Sequence, residues 1–117
     1  MNIEEFRDYC IAKKGVTEGF PFDESTLVFK VMGKMFALVN IQKIEFVNLK
    51  CDPEKAIELR EEYQGVTPGY HMSKKHWNSV SVLGDIPDKL IYQWVDNSYD
   101  LVVSSLTKKL QEELKKG

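Results

Sequence analysis

The fold is set by the stretch TLVFKVMGKMFALVN, residues 26–40. Two apolar runs flank Met32-Gly33, which is the pattern of two antiparallel strands, 26–31 and 34–40, joined by a two-residue loop. This loop predicts three cross-strand pairs, which are Val31 with Lys34, Phe29 with Phe36 and Leu27 with Leu38. The register collects the bulkiest side chains on one face. The opposite, less deeply buried face then carries Val28, Lys30, Met35, Ala37 and Val39.

Helices are predicted on both sides of this hairpin. Asn2 is a suitable N-cap for a helix over residues 3–13, and Gly15 is a suitable stop. Asp52-Pro53-Glu54 combines an N-cap, a proline at the first helical position and an acidic first turn, so a second helix begins there. Helical spacing from residue 90 to residue 114 predicts C-terminal helices, with a break near residues 96–98 or around Thr107.

The remaining segments predict further strands and one ordered connector. Residues 45–50 read as a strand, and residues 66–72 and 77–83 as a second hairpin joined by the polar turn 73–76. Residues 17–22 place two aromatics around Pro21, which favours a loop pinned onto the core. Short connections between these elements predict a single domain, 1–117, of α+β class: a two-layer structure with an antiparallel sheet covered on one face by helices.

Composition narrows the classes of function. The net charge is −2 and the pI is about 5.7, so the strong positive field of many nucleic-acid binders is absent. The N-terminus has no basic leader or apolar stretch, which predicts a cytoplasmic protein without membrane association. Cys10 and Cys51 fit no metal-ligand spacing and are expected to be free thiols. No cofactor is expected.

Residues able to perform catalysis are few. His71 and His76 lie in an extended segment that directs them to opposite faces, which favours hydrogen-bonding roles over a metal or general-base pair. A catalytic alternative requires both imidazoles in one cleft with a carboxylate or metal. Cys10 lies on the apolar stripe of the first helix, where thiols are usually inert. The sequence therefore predicts a protein that is not an enzyme.

A basic and aromatic hairpin tip is the best functional candidate. It comprises Lys74, Lys75, His76 and Trp77, and such a tip contacts phosphates through lysine while a ring stacks or inserts. Possible cationic neighbours are Lys30, Lys50 and Arg60, although Arg60 lies on the apolar stripe of the second helix and should be partly covered. An equally weighted alternative is an ordinary solvated turn followed by a core tryptophan.

Six blocks of sequence, in order over nearly the whole chain, resemble the MmcQ/YjbR family. They are GVTEGFPF (15–22), VMGKMFA (31–37), NLKCDP (48–53), PGYHM (68–72), KKHWN (74–78) and SYDLV (98–102). Two positions depart from the usual pattern. Ser73 stands where asparagine is more frequent, and Gly69 where alanine is frequent, so we expect hydrogen bonding at the turn tip to differ from the family pattern.

The resemblance implies a small bacterial cytoplasmic domain with a CyaY-like, secretion-chaperone-like α+β fold. It also implies a DNA-binding role through a double-wing arrangement of hairpins. Carried onto this chain, that role falls on Lys50, Tyr70, His71, Lys74, Lys75, His76, Trp77 and Asn78.

Two hypotheses follow. In the first, a monomeric non-enzymatic module binds DNA through the tip. In the second, which the acidic net charge favours, a chaperone-like module binds a protein or small ligand on the less bulky sheet face. Convergence of the cations on one surface would support the first hypothesis, and interspersed glutamates would count against it.

Overall fold

The computed structural model describes residues 1–69 and 72–117. The elements are α1 (Ile3–Ile11), β1 (Val16–Gly19), β2 (Thr26–Val31), β3 (Lys34–Asn40), β4 (Phe46–Lys50), α2 (Pro53–Glu62), β5 (Val66–Pro68), β6 (Trp77–Ser81), α3 (Asp88–Ser104) and α4 (Lys108–Lys116). The strands form one antiparallel sheet in the order β1-β2-β3-β4-β6-β5. The main apolar core lies between one sheet face and side chains from all four of these helices, so the two-layer α+β prediction is confirmed.

Side-chain caps begin the helices where the sequence predicts. The Asn2 carboxamide accepts a hydrogen bond from the Glu5 amide at 2.8 Å, and Asp52 accepts from the amides of Glu54 and Lys55. Thr107 caps α4 by accepting from the Leu110 amide. The C-terminal helices therefore break at Thr107, the second of the two predicted positions.

The segment before the first hairpin differs from the prediction. Residues Val16–Gly19 form an edge strand paired with β2, and Phe20 and Phe22 remain 48% and 61% exposed. The prediction of a loop pinned onto the core by these rings was wrong. A four-residue strand that ends in glycine gives too short an alternation to detect, and the aromatics that follow it face solvent.

A β-bulge changes the register of the β2–β3 hairpin. Val31 pairs with Lys34 as predicted, but Phe29 pairs with Ala37 rather than Phe36, and Leu27 with Val39 rather than Leu38. The extra residue on β3 is Phe36, which has no partner on β2. From Ala37 onward the side chains are therefore on the faces opposite to those predicted, because one inserted residue reverses the alternation.

The helix-free face of the sheet consequently has a different composition. Ala37 and Val39 belong to the main core, so their placement on the less bulky face was wrong. A second, smaller cluster lies on the helix-free face and joins Val28, Leu38 and Trp77, with Met35 and Met72 packed against it. Apolar side chains therefore pack on both faces of the central strands.

Ser98 on α3 compensates for the bulge. Its fully buried hydroxyl donates to the Phe36 carbonyl at 2.6 Å and accepts from the Lys50 amide at 3.0 Å. The bulge interrupts the β3–β4 ladder beyond the Ala37–Leu49 pair, and the hydroxyl replaces the missing bond. One side chain therefore satisfies a buried carbonyl and a partly buried amide on two neighbouring strands.

Replacing Ser98 by alanine is expected to lower the free energy of unfolding by about 1–3 kcal/mol, because two backbone groups lose their partner without gaining water. Urea denaturation with an unchanged m-value measures this. Ser104→Ala is the matched control, since Ser104 is exposed on the same helix and its hydroxyl donates to the Leu101 carbonyl one turn earlier. Equal losses in the two variants would contradict the bridging role.

The second hairpin is present but shorter than predicted. β5 and β6 pair through Val66 with Val80, Thr67 with Ser79 and Pro68 with Asn78. The last part of the predicted first strand includes Tyr70 and His71, which lie outside the described residues. The Val66 amide donates to the Tyr63 carbonyl at 3.1 Å, which ties the start of β5 to the end of α2.

The longest helix is α3, with 17 residues. It is amphipathic, and its buried face includes Ile91, Trp94 and Val95. Across the described ranges, we find no helix with both the length and the apolar character needed to cross a bilayer.

Candidate functional site

The predicted tip is a tight turn held by backbone hydrogen bonds. The Ser73 carbonyl accepts from the amides of His76 at 3.2 Å and Trp77 at 3.0 Å. The His76 carbonyl in turn accepts from the Cys51 amide at 2.8 Å, which fixes the turn to the end of β4. Lys74, Lys75 and His76 are all exposed, so the turn presents three potential phosphate-binding side chains from an ordered backbone.

Arg60 of α2 holds the base of this tip. Its Nε donates to the Asn78 carboxamide oxygen at 2.7 Å, and its terminal nitrogen donates to the carbonyls of Lys74 and Trp77. The Asn78 amide nitrogen donates to the Ala56 carbonyl at 3.3 Å. The prediction that Arg60 is partly covered is confirmed. Its guanidinium faces protein carbonyls, so it is not a free cation of the basic surface.

The sequence-predicted site residues separate into two groups. Trp77 and Asn78 are only 6% and 2% exposed, and in this structure they support the tip from below. Lys50 is the register partner of Trp77 on β4, so it lies beside the tip. Tyr70 and His71 lie outside the described residues.

Only some of the predicted basic residues lie together at the tip. Among the residues that the structure describes, no ion pair involves Lys50, Lys74 or Lys75, so no glutamate neutralises them. Lys30 lies on β2, separated from β6 by two strands, and Arg60 is engaged by carbonyls. The basic surface therefore reduces to Lys50, Lys74 and Lys75, which we call the lysine group.

A groove on the helix-free sheet face adjoins the tip, and the sequence did not predict it. Its volume is about 860 Å³, within the usual range of ligand sites. Phe22 and Phe46, which line it, are 61% and 46% exposed. Met72, directly before the turn, lines it as well. The other lining residues are Asp23, Thr26, Leu38, Val39, Asn40, Lys43, Glu45, Asn48, Thr67, Pro68 and Ser79.

The groove floor contains a row of polar side chains across three strands. Asn48 on β4 is opposite Ser79 on β6, which is opposite Thr67 on β5. The Ser79 hydroxyl donates to the Asn48 carboxamide oxygen at 2.5 Å. Cross-strand neighbours share a face of the sheet, so the three groups form one continuous hydrogen-bonding strip.

Local partners occupy the charged groups of the groove. The Asp23 carboxylate accepts from the amides of Ser25 at 2.9 Å and Thr26 at 2.7 Å. These bonds hold the pKa of the Asp23 carboxyl below its usual range. Lys43 and Glu45 form an ion pair at 3.1 Å. The groove is therefore apolar and hydrogen-bonding in character, while the free positive charge lies at the tip.

A smaller cavity of about 230 Å³ lies on the helix side, lined by residues that include Cys51, Asn78, Trp94 and Leu101. Both cysteines are free thiols, as predicted. Burial raises the pKa of the Cys51 thiol and that of Cys10, the latter to about 12. Neither thiol is therefore activated as a nucleophile. Over residues 1–69 and 72–117 no cluster of His, Cys, Asp and Glu is suited to hold a metal ion.

A polar cluster between α1 and α3 was also missed by the sequence reasoning. The Asp96 carboxylate accepts from the Tyr9 hydroxyl at 2.8 Å and the Lys13 ammonium at 2.5 Å. Desolvation, with the nearby Asp96, raises the pKa of Tyr9 to about 12. The tyrosine stays protonated and donates at neutral pH, so the cluster ties two helices together.

The YjbR family model matches residues 11–101 of this chain. The chain belongs to the YjbR family. Two Escherichia coli relatives align over most of this YjbR-family chain. YbdF of strain O157:H7 is 38% identical over 99 residues, covering 84% of this chain and 81% of YbdF. YjbR of strain K12 is 37% identical over 107 residues, covering 91% of both chains.

Solved structures share the fold of this YjbR-family chain. The crystal structure of Deinococcus radiodurans protein DR2400, a DUF419 domain, superposes with a TM-score of 0.91 at 38% identity, covering 97% of this chain and 88% of that one. A Pseudomonas syringae protein superposes with a TM-score of 0.72 at 29% identity, covering 86% and 98%.

Proposed function

We propose that this YjbR-family protein is a non-enzymatic, monomeric, cytoplasmic bacterial module that binds DNA through its hairpin tip. The observation that supports this most directly is the pairing of two exposed lysines, Lys74 and Lys75, on an ordered turn, with no ion pair to a carboxylate within residues 1–69 and 72–117. Lysines of this kind contact phosphate oxygens and release counterions from the duplex.

Rigidity of the tip supports the same function. The turn is fixed to β4 through the Cys51 amide and to α2 through Arg60. An ordered turn loses little conformational entropy when its lysines meet a phosphate backbone. The exposed His76 ring adds a hydrogen-bonding group beside them, and Lys50 extends the same surface along β4.

The net charge of −2 limits the strength of this binding. Because long-range attraction is weak, the affinity must come from the local lysine group, and it will be sensitive to salt. Phosphate contacts position a protein without reading base sequence. The proposal is therefore binding with little sequence preference.

Affinity for a labelled mixed-sequence duplex is expected to fall roughly a hundredfold between about 50 and 200 mM salt if the protein makes about four phosphate contacts. Lys74→Ala/Lys75→Ala is expected to weaken binding roughly tenfold at the lower salt concentration and to reduce the salt slope by about two. Fluorescence anisotropy across a salt series measures both quantities.

Lys108→Ala/Lys109→Ala is the matched control for charge. These lysines are adjacent and exposed at the start of α4, so the control removes the same net charge away from the tip. Equal effects of the two double variants would show that only overall charge matters. The absence of binding at low salt in the wild-type protein would reject the proposed function.

A second candidate is a module that binds a protein or small ligand and has no nucleic-acid role. The groove of about 860 Å³ with two exposed phenyl rings favours it, because exposed aromatic clusters mark binding surfaces. In this case ligand binding would depend on Phe22 and Phe46 and would be unaffected by the lysine substitutions at the tip.

A further inference from the structure

We infer that the groove beside the tip binds unpaired nucleobases, so that the protein binds single-stranded DNA more tightly than duplex. The inference rests on the proposed DNA-binding function and assigns to the groove a role that the tip lysines cannot perform. It depends on three properties of the groove, which are exposed rings, a polar floor and a boundary with the lysine group.

The exposed rings supply surfaces for stacking. Phe46 begins β4 and Phe22 lies in the connector before β2, and both line the groove while remaining about half exposed. Leu38, Met72 and Pro68 add apolar surface between them. Stacking of a base on an aromatic side chain contributes about 1–3 kcal/mol and tolerates any base, because every base has a π-face.

The polar floor supplies partners for base edges. The strip presents the Asn48 carboxamide and the exposed Thr67 hydroxyl as donors and acceptors, while Ser79, which is 3% exposed, lies between them. The hydrogen bond from Ser79 orients the Asn48 carboxamide, and asparagine amides pair well with adenine edges. A nucleobase has apolar faces and a polar edge. The exposed phenyl rings of the groove suit the faces, and the polar floor suits the edge.

The charge distribution favours a base over an anionic group inside the groove. Asp23 is satisfied by backbone amides and Glu45 by Lys43, which leaves no free cation among the described lining residues. Phosphates would therefore remain outside, where Met72 passes directly into the turn that holds Lys74 and Lys75. Bases in the groove and phosphates on the lysine group fit an unpaired strand, whereas duplex stacking keeps bases out of such a groove.

The test compares labelled oligothymidylate of about ten nucleotides with a duplex of equal length, using the wild type, Phe46→Ala and Phe20→Ala. Phe20 is the matched control, because it is 48% exposed against 46% for Phe46 and does not line the groove. We expect tighter binding of the single strand. We expect Phe46→Ala to weaken that binding about tenfold with duplex affinity unchanged, and Phe20→Ala to change neither.

A titration of uncharged thymidine, followed by amide chemical shifts of the wild-type protein, tests the groove without phosphate. Shifts confined to β4, β5 and β6 around Asn48, Thr67 and Ser79 would support the inference. A parallel titration with thymidine monophosphate distinguishes binding of a free nucleotide from binding of a strand. If the protein bound the monophosphate as tightly as the oligonucleotide, strand binding would be overturned.

The failures of the two ideas are distinguishable. The protein could bind single strand and duplex with equal affinity, with binding unchanged by Phe46→Ala but weakened by Lys74→Ala/Lys75→Ala. This result would overturn the nucleobase inference and retain the proposed function. The absence of binding to either probe would overturn both. Thymidine shifts located away from the groove would also overturn the inference.

Discussion

Phe29→Ala is expected to lower the free energy of unfolding by about 3–5 kcal/mol, as truncation of a fully buried phenylalanine does. Phe29 is 0% exposed at the centre of β2 and packs edge-on against Phe6 of α1, with ring centroids 5.9 Å apart. The substitution removes apolar burial and leaves a cavity between the sheet and the helices. Chemical denaturation monitored by circular dichroism measures the loss.

Phe22→Ala provides the control for this prediction. Phe22 is 61% exposed, so the same chemical change is expected to alter stability by no more than about 0.5 kcal/mol. A comparable loss in both variants would mean that Phe22 packs in solution. It would also remove the exposed ring that the groove proposal requires.

Arg60→Met is expected to lower stability by about 2–3 kcal/mol and to weaken DNA binding in parallel. The substitution keeps an apolar stem of similar length but removes charged donors from the Asn78 side chain and two carbonyls, and hydrogen bonds from charged groups contribute about 1.5–3 kcal/mol. Amide hydrogen exchange at His76 and Trp77 should accelerate as the tip loosens.

Lys55→Met on the same helix is the control for Arg60. Its side chain is 53% exposed and its ion pair with Glu58 spans 3.7 Å, so its loss should change stability by less than about 1 kcal/mol. If Arg60→Met left exchange at the tip unchanged while reducing DNA binding, Arg60 would contact DNA directly. Its assignment as a structural clamp would then be wrong.

Local signals made most of the fold predictable. The caps at Asn2, Asp52 and Thr107 are short-range side-chain effects, and the spans of β2 and β3 follow from apolar runs around a two-residue turn. The bulge was not predictable because residues 36–39 are all apolar. Four consecutive apolar residues hide a break in alternation, and the compensating group, Ser98, is 62 residues from Phe36.

The candidate site was predictable only where it depends on neighbouring residues. The exposed lysines and the turn follow from the local sequence, and the family follows from six separated blocks. The groove depends on strands brought together from distant positions, such as Asn48 beside Ser79 and Thr67. The burial of Trp77 depends on Val28 and Leu38, and Leu38 reaches the helix-free face only because the hairpin contains a bulge.

The outer edge of the sheet at β5 has a consequence for self-association. Outward-facing amides of an edge strand normally invite a further strand to pair, which is a route to fibrils. Here the Val66 amide already donates to the Tyr63 carbonyl, Pro68 has no amide hydrogen, and the neighbouring amides of Ser81 and Gly69 bond across the β5–β6 pair. Over Val66–Pro68 the edge therefore lacks an outward backbone donor, and a partner strand could pair with it only by donating to its carbonyls. We therefore expect this strand to add a further strand less readily than an edge with free amides, while the adjacent turn stays exposed.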